Sequence, residues 1–131
     1  MAIVSEAITY KNSQGEYIVG IYDYLDGNED TCQPFIIILP TCGKIEGDAK
    51  TLAHYLAKNG LHVIRYDNAN KIDKGDESDF STISEDLSAT LDFAERRFGV
   101  GQFGILTQNL NGTAEDIIVD SRIKLRGFLT G

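Results

Sequence analysis

Gly104-Ile105-Leu106-Thr107-Gln108-Asn109-Leu110-Asn111-Gly112 decides how this chain is read. An apolar run gives way to amide-bearing residues and a glycine. That pattern predicts a buried strand turning sharply into a helix, with Asn109 at the tip. Asn enters the positive-φ backbone region that tight corners demand more readily than most residues do. It brings no nucleophile, because a carboxamide has no proton that a base could remove to leave a reactive oxygen.

Upstream, Phe35-Ile36-Ile37-Ile38-Leu39 is a continuous apolar run, as expected of a strand buried on both faces. It follows Pro34 and ends at Pro40-Thr41-Cys42-Gly43. A helix is expected over Gly47 to Lys58, with Leu52, Ala53, Leu56 and Tyr55 on one face and Asn59-Gly60 as its stop. His62 to Tyr66 reads as the next strand. After a long polar connection from Asp67 to Ser81, a second helix runs to about Arg97. Ser81 or Thr82 is its expected cap, with Glu85 placed for a capping box, and Ile83, Leu87, Leu91 and Ala94 are its buried stripe. Gln102 to Thr107 is the strand before the Asn109 turn, and a short helix is expected over Thr113 to Val119. Leu125 to Leu129 is the last strand. At the other end, Ile3 to Tyr10 and Glu16 to Leu25 form a hairpin around the turn Asn12-Ser13-Gln14-Gly15. Two antiparallel strands followed by alternating strands and helices predict a three-layer α/β/α domain over residues 1–131. Its sheet should be mostly parallel, with about six strands.

Composition bounds the function. A chain of 131 residues can bury roughly two-thirds of its unfolded surface as one domain. Twenty acidic residues against twelve Lys and Arg leave a net charge of −8. This argues against nucleic acid and anionic membrane surfaces as partners. No basic-then-apolar leader begins the chain and no apolar run approaches a membrane span, so a cytoplasmic location is expected, with Cys32 and Cys42 as free thiols.

The segment Thr51-Leu52-Ala53-His54-Tyr55-Leu56-Ala57-Lys58-Asn59-Gly60-Leu61-His62-Val63-Ile64-Arg65-Tyr66-Asp67 resembles the first helix and following strand of an α/β-hydrolase. Within that superfamily it is most similar to the acyl-transfer thioesterases of bacterial bioluminescence, which release fatty acid from acyl carrier protein. The resemblance covers the N-terminal part of the family's fold. It implies that residues 107–112 match the nucleophile elbow, with Asn109 in the place of the serine. It also implies that Pro40-Thr41-Cys42-Gly43 is the oxyanion loop, and that the Leu110 N–H is the second donor. Thr41, Cys42, Asn109 and Leu110 are therefore the expected ligand-binding residues. The family's acid and histidine come after further strands. His54 and His62 fall on a helix and at the base of a strand, so neither is placed to serve residue 109.

The expectation is a non-catalytic, hydrolase-like protein that binds a small acyl or anionic ligand and needs no cofactor or metal. The alternative is a thioesterase or esterase that uses Cys42, or one completed by residues outside this chain. A Cys42 thiolate would need a base or positive field, and Lys44 is the nearest cation in sequence. Gly43-Lys44 lacks the spacing of a phosphate loop, and Asp73, Asp76, Glu77 and Asp79 lack that of a calcium loop. The strand Leu125 to Leu129 would be left as a sheet edge. Arg122, Lys124 and Arg126 could blunt it, or it could pair with a second copy in a homodimer.

Overall fold

The computed structural model describes residues 2–27, 35–39, 48–67, 80–108 and 121–129. Within them the chain forms β1 (Ile3–Lys11), β2 (Tyr17–Leu25), β3 (Phe35–Ile38), α1 (Asp48–Lys58), β4 (His62–Tyr66), α2 (Phe80–Phe98), β5 (Phe103–Gln108) and β6 (Ile123–Leu129). The six strands make one sheet in the order β1-β2-β4-β3-β5-β6. The β3–β4, β3–β5 and β5–β6 pairs are parallel. The hairpin joins this block antiparallel, through β2 and β4.

The hairpin turn is built on Asn12. Its Oδ1 accepts from the N–H groups of Gln14 (2.9 Å) and Glu16 (3.0 Å), and Gly15 takes the positive φ of 80°. Where the hairpin meets β4, Gly20 lies opposite Tyr66. A Cβ on Gly20 would sit 2.9 Å from the Arg65 carbonyl oxygen, so the two backbones approach as only glycine allows.

Right-handed crossovers put one helix on each face of the sheet. On one face, Leu87, Leu91 and Ala94 of α2 pack with Ile8, Tyr10, Ile18, Tyr22, Phe35, Ile37, Ile64, Phe103 and Ile105. On the other, Ala49 and Ala53 of α1 pack on Ile38 and Val63. This is the expected three-layer arrangement. Helix α1 ends in a paired cap: the Leu61 N–H donates to the Leu56 carbonyl (3.2 Å) and the Gly60 N–H to that of Ala57 (2.9 Å), with Gly60 at φ 92°.

Two expectations are corrected. Ser81 and Thr82 cannot cap α2, because the helix already includes Phe80 and a cap residue has non-helical backbone. Tyr55 does not join the buried stripe. It lies about 200° around the helix from Ala53 and is 66% exposed. The expected helix over Thr113 to Val119 lies outside the described residues. Among those that are described, no helix is long and apolar enough to cross a membrane.

Candidate functional site

The strand order creates the site. From β3 the chain leaves toward β4, on one side; from β5 it leaves toward β6, on the other. The carboxyl ends of β3 and β5 are therefore the point where the sheet's winding reverses, and ligands of open α/β sheets bind in that crevice. The two strand ends are joined directly: the Leu39 N–H donates to the Leu106 carbonyl at 3.1 Å. Strand β5 is described as far as Gln108, and Asn109 follows it in the sequence. Thr41, Cys42, Asn109 and Leu110 lie outside the described residues, as do Gly43-Lys44 and the acidic stretch Asp73, Asp76, Glu77 and Asp79. Among the described residues, no group of three or more His, Cys, Asp or Glu could hold a metal.

Both histidines are engaged elsewhere. His62 opens β4 level with Phe35 and Phe103, the first residues of β3 and β5. At about 3.3 Å per residue, the far end of β5 at Gln108 is roughly 16 Å up the sheet. The His62 ring is stacked on Phe35 (4.6 Å between centroids), and its Nδ1 is 2.7 Å from the Tyr22 hydroxyl. It is a histidine of the aromatic core.

His54 belongs to a cluster that sequence reading missed. Asp23 and Arg65 point to the α1 face from adjacent strands and are fully buried. Arg65 Nε donates to Asp23 Oδ2 (2.7 Å), and Nη2 donates to Oδ1 (3.4 Å). Ser5 Oγ donates to Asp23 Oδ1 at 2.5 Å. His54 Nε2, on α1, lies 3.4 Å from both Ser5 Oγ and Asp23 Oδ1. The cluster contains Ser, His and Asp but is not a catalytic triad. In a triad the hydroxyl and the carboxylate address opposite ring nitrogens, and here both face Nε2. Asp23 accepts the serine's hydrogen bond itself and is ion-paired with Arg65. From β2, the cluster is also three strand spacings, about 14 Å, from β5. A signal was available: a charge in the middle of a buried strand must be paired, and Asp23 and Arg65 are opposite charges in strands that proved adjacent.

The other face has a second polar cluster, around Asp86. Asn12 Nδ2 donates to Asp86 Oδ1 (3.0 Å), the Tyr10 hydroxyl is 2.7 Å from Thr90 Oγ1, and Thr90 donates to the Asp86 carbonyl (2.8 Å). The Tyr66 hydroxyl is buried nearby and makes no hydrogen bond among the described residues. Burial pushes the pKa of both Tyr10 and Tyr66 upward, and the Asp86 carboxylate adds to this.

Comparison with known proteins agrees with this architecture. A family model described as acyl transferase matches residues 19–130. The acyl transferase of Photobacterium phosphoreum is 34% identical over 74 residues, covering 53% of this chain and 24% of that protein. The match thus spans about a quarter of the relative's length. Among solved structures, a hypothetical protein from Pseudomonas aeruginosa superposes with a TM-score of 0.77 at 17% identity, over 96% of this chain and 42% of that one. An α/β hydrolase from a Penicillium species gives 0.74 at 11% identity, over 97% and 46%. A cold-adapted esterase from an Arctic intertidal metagenomic library gives 0.72 at 14%, over 98% and 59%. At these identities the likeness is one of fold, that of an α/β-hydrolase with an unclosed sheet. The family follows from the match to its model over most of the length: this chain belongs to the acyl transferase family.

Proposed function

We propose that this chain is a non-catalytic, hydrolase-like member of its family. In this reading it binds a small acyl or anionic ligand in the crevice between the ends of β3 and β5, lined by Thr41, Cys42, Asn109 and Leu110, in the cytoplasm. The observation that carries the proposal is the end of β5. The described part of β5 runs to Gln108, and the next residue in the sequence is Asn109, which the resemblance aligns with the family's serine. The placements of His54 and His62 support it, since neither histidine is near that strand end.

The test combines turnover with binding, using short- and long-chain p-nitrophenyl esters, a long-chain acyl thioester and the free fatty acid. No turnover above buffer is expected, for the chain as it stands or for Asn109→Ser, which regains a hydroxyl without a base. Fatty acid should shift the amide resonances of Leu39 and Leu106. Turnover lost in Cys42→Ala and retained in Asn109→Ala would assign hydrolysis to the thiol and overturn the proposal. The same reading pairs β6, the end strand of the sheet, with a second copy. Its outer edge is unpaired among the described residues, and Arg122 is drawn toward α2 by Asp92 (2.8 Å) and Glu95 (3.3 Å) instead of guarding that edge. Sedimentation should give a dimer at micromolar concentration; a monomer would remove this part.

A further inference from the structure

One face of the β1–β2 hairpin is covered along its length, the other only at the end where α1 buries Asp23. Ile8, Tyr10, Ile18 and Tyr22 are buried toward α2. The opposite face carries Ser5, Ala7, Thr9 and Lys11 from β1, all exposed, paired across the strands with Asp23, Ile21, Val19 and Tyr17. Tyr17 is 62% and Val19 52% exposed, two of the large apolar side chains that remain open to solvent. Lys11 lies over the Tyr17 ring at 4.9 Å.

Helix α1 borders this open face. Because His54 reaches Ser5 and Asp23, its side of α1 is the side turned to the hairpin. Lys50 and Lys58 sit four residues before and after His54, so they share that side, and both are exposed. They bracket about 12 Å of the helix axis. The carboxylates nearby are mostly spoken for. Asp23 is buried against Arg65, and Glu6 points to the other face, where Arg97 holds it. Asp67, whose N–H donates to the Val19 carbonyl, is half-buried at the upper end. A chain of net charge −8 thus sets three lysines and a histidine around an apolar strip.

We propose that this open hairpin face, with the adjoining flank of α1, docks an acidic amphipathic helix of a partner protein. A sheet face is completed by a packed layer, and a helix with an apolar stripe between acidic flanks matches both the strip and its basic rim. The surface lies on the hairpin, away from the β3–β5 crevice, so the proposal stands whether or not that crevice binds a ligand.

The experiment titrates the isotope-labelled full chain with a synthetic amphipathic peptide, apolar at i, i+3, i+4 and i+7 with glutamate flanks, and with its lysine-flanked counterpart. The glutamate peptide should shift the amides of Ala7, Thr9, Val19 and Lys50, and bind more weakly as salt rises. The double variant Lys50→Glu/Lys58→Glu should weaken it by about ten-fold or more while gaining the lysine peptide. Its circular dichroism should be unchanged. Equal binding of both peptides, or shifts confined to other faces, would overturn the proposal. So would the same shifts produced by anionic phosphatidylglycerol vesicles alone, or a self-association abolished by Val19→Asp.

Discussion

On the α2 face of the sheet, Tyr10, Tyr22, Phe35 and Phe103 meet branched aliphatics and Leu87 and Leu91 of the helix. On the α1 face, Ile38 and Val63 meet Ala49 and Ala53, and the neighbouring space is filled by Asp23 and Arg65. The first face is held by apolar area and aromatic packing, with the hydrogen bonds of Asn12, Thr90 and Asp86 at its rim. The second has less apolar surface to bury and encloses a charge pair. Such a pair contributes little net stability while intact, yet breaking it strands a buried ion. The two faces should therefore fail in different ways.

The largest effect is expected on the α1 face. Arg65→Met leaves the Asp23 carboxylate buried without its cation, and should cost about 3–5 kcal/mol in denaturant unfolding. Asp23→Leu combined with Arg65→Met removes both charges and should be much milder than the single change. A double variant as damaged as the single one would show that the pair is strongly stabilising in its own right, and the contrast between the faces would vanish.

On the α2 face the sensitivity is to alkali. Tyr10 and Tyr66 keep their protons when folded, because burial raises their pKa, whereas the unfolded chain loses them near pH 10. The contribution is full below that value and lost as pH rises toward the raised folded values. The expected slope is about 1.4 kcal/mol per pH unit for each tyrosine. Tyr66→Phe should remove one proton from that slope. At neutral pH the same change deletes a hydroxyl without a hydrogen-bond partner among the described residues, so stability should hold or rise by up to about 1 kcal/mol. This is the smallest of these effects. A clear loss would mean that the hydroxyl is satisfied.

The elements were legible because their apolar patterns are strong. Phe35 to Ile38 and His62 to Tyr66 are unbroken runs or nearly so, and Asn59-Gly60 is a stop signal with a conformational cause. The boundary of α2 was less legible, since Ser81 and Thr82 favour a cap chemically without being required to act as one. The exposure of Tyr55 turns on its angle around the helix, which its aromatic character does not reveal. The crevice is legible in the sequence only through the resemblance, which puts the binding residues after Leu39 and Gln108, outside the described residues. The Asp23–Arg65 pair is not legible, because it depends on β2 lying beside β4, a neighbour separated by two intervening elements. The sequence contains both charges but not their adjacency.

Alternation of inward and outward side chains rules out sliding the hairpin along β4 by one residue, but a slide of two would preserve every face. Gly20 removes that degeneracy. Opposite Tyr66, under the Arg65 carbonyl, there is no room for the β-carbon that Ile18 or Tyr22 would bring. One missing methyl group thus chooses a single alignment of the sheet from a set that hydrophobicity ranks as equal.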